Sequence, residues 1–212
     1  MPITKTTLFN LALARVGSLP LDDADTDAAN GVKSAIACNN AHDQTIKEVA
    51  RAGRWNCLKD RAILDRIDDA PEYGPDPEFG WRYNFWLPAN CVRLLQLNGT
   101  CIYNDGPSEL FEIEGRKLLT NEAIARVQYI KADTCYDDWD PLFLDCIVVL
   151  LASKIAFELR QDADMASTLR NEYERVTLPR GRQKNGDERR RHLNDPSLLS
   201  SFVASRRFST RG

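Results

Sequence analysis

The stretch Asp140-Pro141-Leu142-Phe143-Leu144-Asp145-Cys146-Ile147-Val148-Val149-Leu150-Leu151-Ala152-Ser153-Lys154-Ile155-Ala156-Phe157-Glu158-Leu159-Arg160 decides the fold, because it contains the longest apolar run of the chain. Asp followed by Pro is a helix start: the Asp side chain takes an orphan backbone N–H, and Pro suits the first helical position, where no donor is needed. Leu144, Val148, Leu151, Ile155 and Leu159 recur at steps of three and four. Phe143, Ile147 and Leu150 widen that stripe until most of the circumference is apolar. Such a helix, roughly 30 Å long, must be packed on several sides. Asp145, Lys154 and Glu158 interrupt it and argue against a membrane span. The spacing predicts the central rod of a soluble helical bundle.

Upstream, Phe9, Ala12, Leu13 and Val16 are spaced as one helical face, and Gly17 stands at the usual left-handed cap. Pro20 and the acids Asp22, Asp23, Asp25 and Asp27 predict a loop. Val32, Ala35, Ile36, Ile46 and Val49 then mark a long second helix, starting near Asp27 and stopped by Gly53. From Trp55 to Ala132 short aromatic and β-branched runs alternate with Pro, Gly, Asn and Asp, the pattern of strands and turns. Strands are expected at 62–64, 82–87, 93–97, 110–114, 117–119 and 126–130. Asn98-Gly99 and Glu114-Gly115-Arg116 read as tight turns. The breaker-rich segment 69–80 reads as a projecting loop. After the rod, Met165, Leu169, Tyr173 and Val176 predict a fourth helix ending before Pro179. The fold class expected is therefore α+β: an antiparallel bundle of about four helices (residues 1–55 and 136–178), an inserted antiparallel β module (56–135) and an extended basic C-terminal arm (179–212).

A chain of 212 residues buries enough surface to be stable without metals or disulfides. The six cysteines, Cys38, Cys57, Cys91, Cys101, Cys135 and Cys146, form no C-x-x-C pair and read as reduced thiols of a cytosolic product. Polar residues break up Leu8 to Val16, so no secretory leader is expected. From Pro179 onward nine basic residues face three acidic ones, a balance of +6, which leaves −9 for the rest of a chain whose net charge is −3. An acidic body with a basic arm points to an arm that meets an acidic surface on another chain, or a phosphate backbone.

The inventory for catalysis is thin. Only His42 and His192 are present, and no H-E-x-x-H, G-x-S-x-G, P-loop or G-x-G-x-x-G spacing occurs. A lone helical His42 without a nearby nucleophile reads as structural. Asp23, Asp25 and Asp27 open like a calcium loop, but Ala28 and Ser34 stand where that loop needs Gly and a bidentate Glu. Acids before a helix are favoured by its positive end, and Asp133, Asp137, Asp138 and Asp140 fit the same account. No catalytic, cofactor-binding or metal residue is assigned. Trp81, Tyr83 and Phe85 alternate with Arg82, Asn84 and Trp86, so at least one of these sets should be core rather than a stacking platform. The candidate binding residues lie in the arm: Arg180, Arg182, Arg189, Arg190 and Arg191 as charges, and Leu198, Leu199, Phe202 and Phe208 as apolar anchors. Such an arm folds on a partner, with Arg suited to bidentate pairing.

Several segments in order resemble the tail tubular protein A, or head-to-tail adaptor, family of short-tailed bacteriophages. They are Asn10-Leu11-Ala12-Leu13 with Val16-Gly17, Arg51-Ala52-Gly53-Arg54-Trp55-Asn56, Trp86-Leu87-Pro88-Ala89-Asn90-Cys91-Val92-Arg93, Phe111 through Thr120, Tyr129-Ile130, and Trp139-Asp140-Pro141-Leu142-Phe143. The resemblance implies a non-enzymatic virion protein forming a dodecameric ring. It would sit between the portal protein and the tail nozzle protein, with a lumen through which double-stranded DNA passes unbound. It implies residence in the virion neck after a stay in the host cytoplasm. An acidic body lining such a lumen would repel the phosphates. Two other readings are a nucleic-acid-binding accessory protein acting through the arm and a small metal-dependent hydrolase using the aspartates.

Overall fold

The computed structural model describes residues 3–67, 80–101 and 111–188. Helices and antiparallel sheets form an α+β arrangement. The first helix, α1 (Lys5–Val16), is capped by the Thr4 hydroxyl, which accepts from the Thr7 N–H. It ends at Gly17, at φ 69°. There the N–H of Gly17 reaches Ala14 and that of Ser18 reaches Leu13, which satisfies the last carbonyls as a left-handed cap should. Leu8, Phe9, Ala12, Leu13 and Val16 are buried, so the predicted face is the packed one.

The second helix differs from expectation: it is broken into α2 (Ala24–Ala29) and α3 (Lys33–Ala52). Between them Gly31 sits at φ 82°, a left-handed residue at which an α-helix cannot continue. The acids serve the short helix. Asp23 accepts from Thr26 N–H as its cap, and Asp27 accepts from the N–H groups of Asp22 and Asp23.

The rod is α4 (Pro141–Arg160), with Asp140 accepting from the N–H groups of Leu142 and Phe143 and Pro141 in the first turn. Its unbroken run from Cys146 to Ser153 is buried, and it packs against α1, α3, α5 (Ala163–Glu172) and α6 (Leu178–Asp187). The helix predicted to end before Pro179 does not end there. A π-helical turn, Tyr173–Thr177, joins α5 to α6. The Leu178 N–H reaches back five residues to Tyr173, and Pro179, with no N–H to offer, follows directly on that widened turn at the start of α6. The widened turn also shifts the helical face by one position. Val176, predicted to be packed, is 59% exposed, while Thr177, Leu178 and Gly181 are buried instead. The part of the expected extended arm from 179 to 187 is thus helical, and 189–212 lies outside the described residues.

All six expected strands are present. They are β1 (Lys59–Ile63), β2 (Tyr83–Trp86), β3 (Cys91–Leu97), β5 (Phe111–Glu114), β6 (Lys117–Thr120) and β7 (Arg126–Lys131), joined by a short β4 (Thr100–Cys101). β3 and β4 are linked through Asn98 and Gly99 at φ 48° and 87°, the paired positive angles that a two-residue hairpin turn needs. One sheet has the order β1-β7-β3-β4 and the other β2-β6-β5. Leu94, Leu97, Val127 and Tyr129 of the first pack with Phe85 and Leu118 of the second. By ordinary strand alternation Leu95 points away from Leu94 and joins Ile130 in the core shared with the helices, while the irregular register of β3 lets Leu97 share the face of Leu94. The larger sheet is therefore the middle layer. The expected loop at 69–80 lies outside the described residues, save Gly80. Among the described residues no helix is long and apolar enough to cross a membrane.

Candidate docking surface

Trp55 is the pivot where helices meet sheet. Its ring is 1% exposed, its indole N–H donates to the Val49 carbonyl at 2.7 Å, and Phe143 of α4 meets it edge-on at 5.1 Å. Two glycines make room for it. A Cβ on Gly53 would lie 2.6 Å from the ring, and one on Gly181 2.9 Å from it and 3.3 Å from Cys146 Sγ. Backbone, not side chain, therefore covers the ring on the α6 side.

Three arginines close the same seam. Arg182 donates to the Ala52 carbonyl, Arg93 to the Arg51 carbonyl at 3.4 Å and Arg51 to the Val92 carbonyl at 3.0 Å. Ala52 and Arg51 are the last residues of α3, so cations meet the negative end of a helix dipole. Asn185 completes the joint: its amide donates to the Arg54 carbonyl, while its side-chain and backbone oxygens accept from Asn56. An open cleft of about 270 Å³ remains between Arg54, Arg93, Arg182 and Asn185.

Of the predicted binding residues, Arg180 is exposed on α6, and Arg182 is engaged with its own chain. Arg189, Arg190, Arg191, Leu198, Leu199, Phe202 and Phe208 lie outside the described residues. The sequence marked Gly53 only as a helix stop and did not mark Gly181 or Asn185, because their value lies in Trp55 and Asn56, 126 and 129 residues away, and a Pro-Arg-Gly-Arg sequence reads locally as a loop.

His42 is buried and bonded through both nitrogens, Nδ1 to Asp43 at 2.8 Å and Nε2 to the Tyr136 hydroxyl at 3.0 Å. A carboxylate at Nδ1 selects the tautomer with the proton there, so Tyr136 donates to Nε2. Burial holds the imidazole pKa below its ordinary value despite Asp43. Burial likewise lifts Tyr136 to about 12. Asp25 pairs with Lys5 at 2.6 Å. Among the described residues no group of three or more His, Cys, Asp or Glu is placed to hold a metal ion. Elsewhere, burial opposes the Glu48 carboxylate, but Lys154 and Arg170 outweigh it and hold its pKa below the ordinary value, tying α3, α4 and α5 together. The aromatic set divides by face. Phe85 is core and Tyr83 lies beneath the Arg66 guanidinium, whereas Trp86 is 49% exposed with Lys117 over it. Trp81 donates to Glu112 at 3.0 Å.

No protein-family model matches the chain, and no curated protein matches it.

Proposed function

We propose that the chain is a head-to-tail adaptor: a structural virion protein whose copies form a ring between portal and tail nozzle, with a lumen for DNA. One observation carries this reading. The separate segments that resemble the adaptor family touch one another in series. Phe143 meets Trp55, Arg51 donates to Val92 while Arg93 donates back to Arg51, and the Leu87 N–H donates to the Arg116 carbonyl. Together they make one line of contacts from the helical layer through the first sheet to the second. A stacking protein needs continuous packing between its layers, and this line of contacts supports joining rather than turnover. In this reading the protein takes no cofactor, and residues 189–212 reach a neighbouring subunit or the portal and fold there.

The test is co-sedimentation with purified portal rings of the full chain and of a chain ending at Glu188. The cut spares α6, since removing residues from 179 onward would strip Gly181 from Trp55 and Asn185 from Asn56. The full chain is expected to pellet with portals. The shortened chain should keep its circular dichroism and lose most of that binding. Absence of portal binding by the full chain would count against the adaptor. Steeply salt-dependent binding of that chain to duplex DNA would favour the nucleic-acid-binding alternative.

A further inference from the structure

The larger sheet turns one face toward the helices, and they cover only part of it. In the register, Lys59 stands opposite Ile130, Arg61 opposite Gln128 and Ile63 opposite Arg126 on that face, with Gln96 beside Gln128. The first of these rows is roofed by the helices, since Ile130 is buried in their core. The next two rows are open: Arg61 and Arg126 are exposed, and Ile63 is 69% exposed. Shallow clefts run across them, and Ile124, 54% exposed, stands at their rim. Among the described residues no carboxylate shares these rows, and Glu122 stands with Ile124 at the rim.

Charge is divided between the layers. The described residues of 56–132 carry nine Lys or Arg against five Asp or Glu, net +4, while 3–55 and 133–188 carry 13 against 18, net −5. Four of the helical layer's acids lie by the His42–Tyr136 link, one of them, Asp25, paired with Lys5. Asp25 and Asp43 both act on the two groups of that link, with side chains 76% and 79% exposed, and Asp137 and Asp138 follow Tyr136 on the surface.

We infer that the open rows of the larger sheet are an interface for a second copy of this chain, taking the acidic surface of its helical layer. A contact between two different patches of the same chain is head-to-tail and propagates. It closes into a ring when the rotation per subunit divides a full turn. Arg61 and Arg126 supply charge complementarity, and Ile63 and Ile124 supply the apolar contact within it. This inference rests on the adaptor reading and adds the surface through which its subunits meet.

The test is a charge exchange on the full chain, read by sedimentation velocity at low and high salt. Arg61→Glu with Arg126→Glu reverses one patch, and Asp25→Arg with Asp137→Arg reverses the other. All four positions are exposed, so both variants are expected to fold, which circular dichroism checks. Each variant alone should associate about tenfold or more weakly than the parent. Their equimolar mixture should regain association, because each reversed patch then faces its reversed complement. Parental self-association that survives both reversals, or a mixture no stronger than its components, overturns the interface while leaving portal binding to judge the adaptor reading separately. A parent chain that stays monomeric at every concentration and salt tested also overturns it.

Discussion

His42 shows how one side chain records its surroundings. Its folded pKa lies below the ordinary 6.5 because burial disfavours the cation. The unfolded chain therefore takes up a proton first as pH falls. Stability tied to His42 is whole above about pH 6.5 and declines below it, until the folded imidazole also protonates. The slope it adds is at most about 1.4 kcal/mol per pH unit. Urea midpoints at pH 7.5 and 5.5 should fall for the parent chain, and fall less for His42→Gln. Equal declines in the two would mean that the imidazole is protonated in the folded chain too. The sequence gives His42 a structural part by the lack of neighbours suited to catalysis. It gives no hint of Tyr136, 94 residues away.

Elements were legible wherever the signal was local. The Asp140-Pro141 start, the Gly17 cap and the Asn98-Gly99 turn each rest on the conformational preference of one or two residues, and each is found in place. Elements were misread where a distant partner decides. The stripe Met165, Leu169, Tyr173, Val176 is sound up to Tyr173, after which the π turn moves the packed face to Thr177, Leu178 and Gly181. Pro179 alone argues for an end, but docking on Trp55 carries the helix past it. Glycine substitutions in α6 test that docking with opposite signs. Gly186 has nothing within 4 Å of an added Cβ, so Gly186→Ala should stabilise by about 0.5–1 kcal/mol through helix propensity. Gly181→Ala offers the same propensity gain yet forces a methyl against Trp55, and should cost about 1–3 kcal/mol. Thermal melts of the two variants check this, and a stabilised Gly181→Ala would show that α6 does not rest on the ring.

At the scale of the molecule, the sequence foretold helices on either side of an inserted sheet module because apolar period changes visibly at Trp55 and again at Asp140. It did not foretell that the larger sheet would be a middle layer, since that depends on both of its faces being covered, Leu95 and Ile130 by the helices and Leu94 and Leu97, aligned by an irregular register, by the second sheet. Of the residues expected to bind a partner, only Arg180 and Arg182 are among the described residues. Arg180 and Arg182 belong to a docked helix, with Arg182 capping α3, and charge alone could not distinguish a cation that meets a partner from one that meets its own backbone. In the proposed function this layered subunit joins copies of itself and caps a portal. Electron microscopy of the purified chain mixed with its portal tests it most directly. The account predicts a ring of subunits, coaxial with the portal and open along its axis. Portals that remain bare beside dispersed single molecules would contradict it.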